Sequence, residues 1–455
     1  MKQTILTLLA ALLCVATSKA EGERTVTIND TVYVILKAEQ VKPVAPIHDT
    51  IYVAAEREKR FTIGGYGEAV ATRNFYSDAW QRYATPATYK NDRSHGRVDL
   101  PHVVIYMGYD FGKGWSLGTE IEFEHGGTEA AIELEADETG EYEIEIERGG
   151  EVALEQFWLQ KSFAPQYNIR LGHMVVPVGL TNQHHLPTEF FTVYRQDGEN
   201  TILPCTWHET GISFWGRHKA WRYEAMLLPG LDADRFGSQY FIHGGAGSPY
   251  EFKIANAVAG VVRIDNYSVP GLRIGLSGYY GGSFGNSLTK NVKYKGCRGE
   301  VAIAALDFTY NAHNVVARGN FDYAHLNDSR QITEFNKATM TTDSPSPKQS
   351  VASSAIAASV EAGYNFFSLS PRLTAKGHKM YLFGHYEYYD SMFTTDATVL
   401  DHKWCGKHRI AVGLNYYPIR DLVIKAEYSH RFFRSPYNNE PSLSLGVAYA
   451  GFFNL

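Results

Sequence analysis

The chain has 455 residues, with 43 basic and 49 acidic side chains and a formal net charge of −6 at pH 7. It lacks the basic excess that nucleic-acid binding requires, and we predict no nucleic-acid partner. After the N-terminal region, no stretch approaches the roughly 20 consecutive apolar residues that a membrane-spanning helix needs. Aromatic residues make up 13% of the chain, a content that suits strands bounded by aromatic girdles.

The N-terminus has the pattern of a secretory signal peptide, which we assign to residues 1–20. Lys2 is followed by the largely apolar run Ile5–Val15 and then by the small-residue cleavage pattern Ser18–Ala20. The pattern predicts export of the protein and removal of this segment.

Residues 21–60 differ in pattern from the rest of the chain. They contain an imperfect repeat, Asp30–Glu39 and Asp49–Glu58, separated by Pro43 and Pro46. Each copy is long enough for one short strand, but two such strands bury too little surface to fold alone. We therefore predict a periplasmic N-terminal extension that is partly ordered at best.

Residues 61–455 read as strands separated alternately by long polar loops and short turns. The last segment, Leu443–Leu455, alternates apolar with small or polar residues and carries no charge, as a strand between lipid and lumen requires. We predict an all-β fold, a transmembrane antiparallel β-barrel of about 16 strands in the bacterial outer membrane. A large soluble β-sandwich or β-helix is the alternative.

One face of the segment Leu422–Phe432 carries Lys425, Glu427 and Arg431. A basic side chain facing lipid at the midplane costs about 2 to 4 kcal/mol, so this face must line the lumen. The same argument assigns to the lumen the side chains Arg170, Arg318, Asp322, Glu361, Arg409, Lys425, Glu427 and Arg431.

A lumen with charges of both signs is expected to be wet. Barrels of about 16 to 18 strands leave an aqueous channel, which predicts a porin for passive diffusion of small hydrophilic solutes. A basic outer loop could attract anions, through Lys290, Lys293, Lys295 and Arg298. The alternative for each of these charges is that it only keeps the wall or the loop solvated.

The segment Gly172–Leu180 (GHMVVPVGL) leads into Asn182–His185, and Gly211–Gly216 (GISFWG) comes later in the chain. These stretches resemble the phosphate-selective porin O and P family and its porin-like relatives in Bacteroidetes. The resemblance implies a loop that folds into the lumen and forms the constriction, often in a homotrimer.

Carried over to this chain, the constriction loop is Pro177–Trp207, with His184, His185 and Arg195 as candidate constriction residues. The arginine ladder and lysine cluster of the family have no counterpart here, because Arg195 is the one arginine of this segment. The resemblance therefore implies a constriction, and its phosphate specificity does not carry over to this chain.

Asp137–Glu147 (DETGEYEIEIE) alternates glutamates with Tyr142, Ile144 and Ile146. The pattern predicts a hairpin beyond the membrane, where carboxylates could bridge lipopolysaccharide through divalent cations or simply keep the hairpin soluble. Outer-membrane lipid and lipopolysaccharide are the remaining predicted partners. No spaced ligand set predicts a metal site, and no cofactor is expected.

Cys205, Cys297 and Cys405 fall in predicted outer loops. In an oxidising compartment a disulfide between two of them would leave the third free.

Two other functions stay open. A surface adhesin or structural barrel would be favoured if the barrel's own loops closed the lumen. A barrel hydrolase would need a nucleophile beside a base, and Asp401-His402, His184-His185 and His208-Glu209 supply only residue types. We predict that the protein is not an enzyme.

Overall fold

The computed structural model describes residues 24–28, 31–35, 60–92, 96–125, 131–136, 142–147, 152–247, 253–286, 296–339 and 350–454. The chain divides into two units, residues 1–59 and 60–455. In the first unit, β1 (Arg24–Ile28) pairs antiparallel with β2 (Thr31–Ile35). The predicted signal peptide and the lysines Lys290, Lys293 and Lys295 lie outside the described residues.

The second unit consists almost wholly of antiparallel strands. These are β3 (Phe61–Asn74), β4 (Gly96–Asp99), β5 (His102–Gly112), β6 (Trp115–Glu124), β7 (Ala131–Ala136), β8 (Tyr142–Glu147), β9 (Val152–Ala164), β10 (Tyr167–Val175), β11 (His208–His218), β12 (Trp221–Pro229), β13 (Val258–Val269), β14 (Leu272–Gly282), β15 (Glu300–Ala312), β16 (Val315–Leu326), β17 (Ser354–Asn365), β18 (Lys379–Thr394), β19 (Lys407–Ile419), β20 (Leu422–Phe433) and β21 (Glu440–Asn454). The described α-helices are α1 (Asp197–Ile202), α2 (Ser329–Thr339) and α3 (Pro371–Ala375). Short 3₁₀ turns span Trp80–Tyr83, Ala233–Arg235, His243–Ala246, Phe284–Asn286 and Phe366–Leu369.

The barrel closes because β21 pairs along its length with β3. β4 and β5 both pair with β3, one after the other, and form two pieces of one interrupted strand. Pro101 lies between the pieces, and a proline has no N–H for the ladder. Within the described ranges the barrel therefore has sixteen strands, which confirms the predicted all-β transmembrane fold.

The hairpin predicted at residues 137–147 contains one described strand in that range. β8 (Tyr142–Glu147) pairs with β7 (Ala131–Ala136), which precedes it in the chain, and residues 137–141 lie outside the described residues. The two strands form a separate two-stranded sheet outside the barrel ladder.

Short turns connect most of the strands at one rim, where only the β17–β18 connection of the described barrel is longer and contains α3, and loops connect the strands at the other rim. Between β5 and β6 the turn Gly112-Lys113-Gly114 has positive φ at all three residues. A side chain on Gly114 would meet the carbonyl oxygen of Ser162 at 2.2 Å, so only glycine fits beside the neighbouring strand. Such tight turns match the periplasmic rim of outer-membrane barrels.

The closing strand shows the two faces of the wall. Leu443, Leu445 and Val447 are 43–57% exposed, whereas Ser442 and Ser444 are at most 6% exposed. Because the ladder leaves no open edge and the outer face is apolar, the barrel satisfies both conditions for a strand structure in lipid. The protein is an outer-membrane barrel. No described helix is long and apolar enough to cross a membrane.

The inner face changes character along the barrel. In β13 the inward side chains run from Asp265 and Arg263 in the middle to Val261 and Ala259 toward the long loops, and all four are at most 2% exposed. Toward the outer rim, the inward side chains of the strands pack against apolar side chains of the loops and form one hydrophobic core. Its loop residues are Trp207, Leu231, Phe236, Phe241, Ile242, Ile332, Val351 and Trp404. The lumen is therefore charged at mid-height, as predicted from the alternation in the strands, and apolar toward the outer rim, which the sequence analysis did not predict.

We expect a charged side chain on the lipid face of β21 to destabilise the barrel more at the middle of the membrane than near its surface. Val447→Arg places a cation near the middle of the strand and should lower the free energy of unfolding by about 2 to 4 kcal/mol. Leu443→Arg, closer to the outer rim, should cost at most about 1 kcal/mol. Urea unfolding in lipid vesicles measures both, and equal costs would contradict the assignment of this face to lipid.

Candidate functional site

The connection between β10 and β11, residues 176–207, folds inside the barrel, and we call it the inward segment. Its two ends meet where the Val176 amide donates to the Trp207 carbonyl at 2.8 Å. Between these ends it crosses the lumen, because it touches Ser277 on β14 and Tyr66 on β3. Its path corresponds to the loop Pro177–Trp207 that the resemblance implied.

One carboxylate holds the inward segment in its own shape. Glu199, on α1, accepts hydrogen bonds from the Leu180 amide (2.5 Å), the Thr181 amide (2.9 Å) and the Thr181 hydroxyl (2.6 Å). Gly179 has φ +82°, and a Cβ on it would lie 1.8 Å from Glu199 Oε1. Glycine is therefore required for the carboxylate to approach the backbone.

Asn182 ties the entrance of the inward segment to its exit. Its Nδ2 donates to the carbonyls of Val178 (2.9 Å) and Pro204 (3.1 Å), and its Oδ1 accepts from the Trp207 amide (2.7 Å). A buried polar side chain that satisfies three backbone groups fixes a fold that has little regular structure of its own.

Lumen carboxylates hold the inward segment from the wall. They accept from backbone amides in three pairs: Val193 N to Glu427 (2.6 Å), Phe191 N to Glu361 (3.2 Å) and Gly198 N to Glu387 (2.7 Å). The three carboxylates are at most 4% exposed and lie on β17, β18 and β20. Charge-assisted hydrogen bonds of this kind are about twice as strong as neutral ones.

Hydrogen-bond donors of the lumen wall bind the backbone carbonyls of the turn at residues 190–193 of the inward segment. Lys425 Nζ lies 2.9 Å from the Phe190 carbonyl and 2.8 Å from that of Thr192, while Asn415 Nδ2 donates to Phe191 O at 3.0 Å. Lys425 is 2% exposed and Asn415 is fully buried. Along this turn, the wall places a carboxylate opposite each of the amides of Phe191 and Val193 and a donor opposite each of the carbonyls of residues 190–192.

Asp197 joins the inward segment to two arginines of the wall. Its carboxylate lies 2.5 Å from Arg431 Nε and 3.5 Å from an Arg409 nitrogen, and Arg409 also contacts Glu387 and Glu427. Burial alone would raise the pKa of Asp197, but the two guanidinium groups outweigh it and hold the pKa below its usual range.

The remaining predicted constriction residues bind neighbouring protein groups inside the barrel. Arg318 donates to the carbonyls of His184 (3.1 Å) and Glu189 (3.4 Å). Arg195 donates to the Thr206 hydroxyl (2.9 Å), and burial followed by the charge of Arg195 lowers the pKa of His185 to about 3. His185 is therefore neutral at pH 7.

Two predicted lumen residues lie away from the inward segment's turn at 190–193. Arg170 stacks over Trp158 at 4.5 Å and donates to Gln160 at 3.2 Å. Asp322 is fully buried and accepts from Asn320. Both face the lumen, and both are engaged by neighbours on the wall.

A second charged network on the wall was not predicted from the sequence. Arg263 Nη2 lies 2.8 Å from Asp265 and 3.0 Å from Asp307, and Arg273 lies 2.6 Å from Asp307. Arg263 also donates to the Gly179 carbonyl at 2.9 Å, which attaches this network to the inward segment. The available signal was the pair of charges two positions apart in β13, Arg263 and Asp265.

The outer-loop predictions have mixed outcomes. Arg298 is exposed and pairs with Glu300 at 3.0 Å, so the carboxylate of Glu300 partly neutralises its charge.

Cys205, Cys297 and Cys405 are all free thiols, and no disulfide links these described cysteines. Burial raises the pKa of Cys405 to about 12, which makes it an inert thiol at neutral pH.

The residue pairs considered for a hydrolase lie in different places. His184 is in the inward segment, 3.6 Å from Glu189. His208 lies at the start of β11, 2.6 Å from His173, and Asp401 is bound by Lys403 in an outer loop.

Comparison with known proteins gives one relative in sequence and several in fold. No family model matches the chain. An uncharacterized protein of Aquifex aeolicus is 25% identical over 416 residues, which cover 89% of this chain and 84% of that protein. Salmonella typhi OmpF in complex with daunomycin aligns with a TM-score of 0.50 at 11% identity, over 87% of this chain and 99% of that one.

Two other solved structures align at a slightly lower score. The outer membrane channel DcaP of Acinetobacter baumannii has a TM-score of 0.49 at 9% identity, covering 87% of this chain and 99% of that one. Pseudomonas putida OprB has a TM-score of 0.49 at 10% identity, covering 87% and 95%. The likeness to OmpF shows a shared barrel fold, and membership of the phosphate-selective family is not shown.

We expect the Asp197 contacts to fix the inward segment in a pH-dependent way. Asp197→Asn should loosen residues 191–199 by about 2 kcal/mol, a value between those of exposed and buried ion pairs. The wild-type contribution should be complete above pH 4 and lost as the pH falls below the ordinary carboxyl range, because the folded pKa is lowered.

Hydrogen exchange measured by mass spectrometry, corrected for intrinsic rates, checks this expectation. Glu334→Gln, which breaks an exposed pair with Arg330, is the matched control and should leave the segment unchanged. A difference between wild type and Asp197→Asn that is as large at pH 2.5 as at pH 7 would contradict the role of the ionised carboxylate.

Proposed function

We propose that the barrel is a channel for passive diffusion of small hydrophilic solutes across the outer membrane, with the inward segment setting its cross-section. One observation carries the proposal. The backbone of the inward segment is held from several strands by buried charges of the wall, among them Glu387, Lys425 and Glu427. Burying so many charges is costly, and a fixed constriction inside the lumen is the function that such an arrangement serves.

A closed structural or adhesive barrel is the second candidate. The apolar core in the outer zone of the lumen favours it, because apolar packing narrows any water-filled path. The two candidates differ in one measurable property, which is the passage of ions. We propose no catalytic role.

The charge preference of the channel is a finer proposal. Lys425 and Arg431, predicted to face permeating solutes, are engaged by the inward segment, and Arg409 is shared among three carboxylates. A preference for anions would therefore rest on the basic loop predicted from the sequence, with Lys290, Lys293 and Lys295. The sign of the reversal potential in a salt gradient measures this preference.

We also propose a homotrimer, as the resemblance implies, in contact with outer-membrane lipid and lipopolysaccharide. Native mass spectrometry of the detergent-extracted protein gives the subunit number and the retained lipid.

The channel is tested in planar lipid bilayers. Wild-type protein should give discrete conductance steps, since a fixed constriction has a fixed cross-section. Lys425→Met removes the ammonium that binds the Phe190 and Thr192 carbonyls while keeping side-chain length, and it should give larger and noisier steps.

Lys161→Met is the matched control, because Lys161 also binds a backbone carbonyl, that of Lys113, but at the turn rim. Its steps should equal those of wild type. Folded wild-type protein that gives no steps would overturn the channel and favour the closed barrel.

A further inference from the structure

We propose that the lumen wall at β5 and β6 carries a site for a divalent first-row transition metal, with His102, Glu122 and Glu124 as ligands. The proposal goes beyond the channel, since metal binding does not depend on conduction. The sequence predicted no metal site, because the three ligands lie on two strands and have no motif spacing.

The strand register brings the ligands together. His102 lies directly opposite Glu124 across the β5–β6 pair, and Glu122 lies two residues further along the same face. One ligand atom from each residue lies within 4.8 Å of the other two. Bonds of about 2.1 Å to a tetrahedral metal place ligand atoms about 3.4 Å apart, which small rotations of the glutamate side chains would reach.

The histidine is held in a metal-binding orientation. Its Nδ1 lies 2.6 Å from a carboxylate oxygen of Glu68, which is 6% exposed on the neighbouring β3. With Nδ1 engaged, Nε2 is the nitrogen left for a metal. A carboxylate that fixes the tautomer and ring of a histidine is the usual partner of a metal-bound imidazole.

Independent support comes from buried carboxylates at this wall. Glu122 is 4% exposed, and its Oε1 has no hydrogen-bond partner among the described residues. Glu155 is 1% exposed, and its nearest polar neighbours are a second carboxylate, that of Glu122, and Thr206. A buried carboxylate without a partner is strongly unfavourable unless a cation or a proton neutralises it.

A β-bulge explains why these carboxylates are close. The pairing of β6 with β9 shifts after Glu120, so that Glu155 and Gln156 are both buried and both face the lumen. Glu155 thereby lies beside Glu122 and Thr206. Arg195 faces the same cluster, but it donates to Thr206 and Tyr66. The cluster therefore has more carboxylates than basic partners.

The donor set identifies the class of metal. One imidazole nitrogen with two carboxylates suits zinc or manganese, whereas calcium and magnesium prefer oxygen ligands alone. Glu155 is the group next to this set that could complete it.

The test is zinc binding by the folded, full-length barrel at pH 7.5 after treatment with a chelator. Isothermal titration calorimetry and elemental analysis should give one zinc per chain. Glu68→Gln should weaken zinc binding by roughly 10- to 100-fold, as expected for the residue that orients a metal-bound histidine. His102→Ala and Glu122→Gln should abolish the stoichiometric site.

His313→Ala is the matched control, because His313 contacts Tyr310 in a short turn far from this wall. His173→Ala tests the other close histidine pair, His173 and His208. Both variants should bind zinc like wild type. Heat-modified electrophoretic mobility verifies that every variant is folded.

Three results would overturn the proposal. The first is folded wild-type protein that binds no zinc, which would mean that protons neutralise the cluster. The second is zinc binding that His102→Ala leaves intact, and the third is binding that only His173→Ala removes.

Discussion

The structure depends on buried charges that hold a loop by its backbone. The amides of the inward segment that face the wall, such as those of Phe191 and Val193, are buried away from water, so they need partners from the wall. Glu427 and Lys425 supply an acceptor and a donor from adjacent positions of one strand face. The position of the inward segment is therefore set largely by charged side chains of the wall, on β13 and on β17 to β20.

The lumen wall has two zones with different tasks. At mid-height, networks such as Arg263 with Asp265 and Asp307 hold the inward segment and keep polar groups satisfied. Toward the outer rim, side chains such as Val261 and Trp207 join the apolar core that packs the loops. The polar zone determines where the segment lies, and the apolar zone makes the outer end rigid.

Much of the barrel could be predicted, because lipid on one side and lumen on the other enforce a period of two along every strand. The inward direction of Lys425 and Arg409 follows from that period alone. Their partners could not be predicted, since the pairs join residues as far apart as Phe190 and Lys425. The apolar outer zone was missed because alanine and valine facing inward look the same as alanine and valine facing lipid. The cluster of Glu122 and Glu155 was missed because a bulge interrupts the alternation on which the prediction relied.

The long sequence separations of these contacts bear on the order of assembly. Residues 190–198 bind side chains of β17, β18 and β20, which lie between 170 and 235 positions later in the chain. The segment cannot acquire these partners until those strands have formed, so its docking is a late and non-local step. Docking of the segment and closure of the ring between β3 and β21 therefore both depend on strands from the last quarter of the chain.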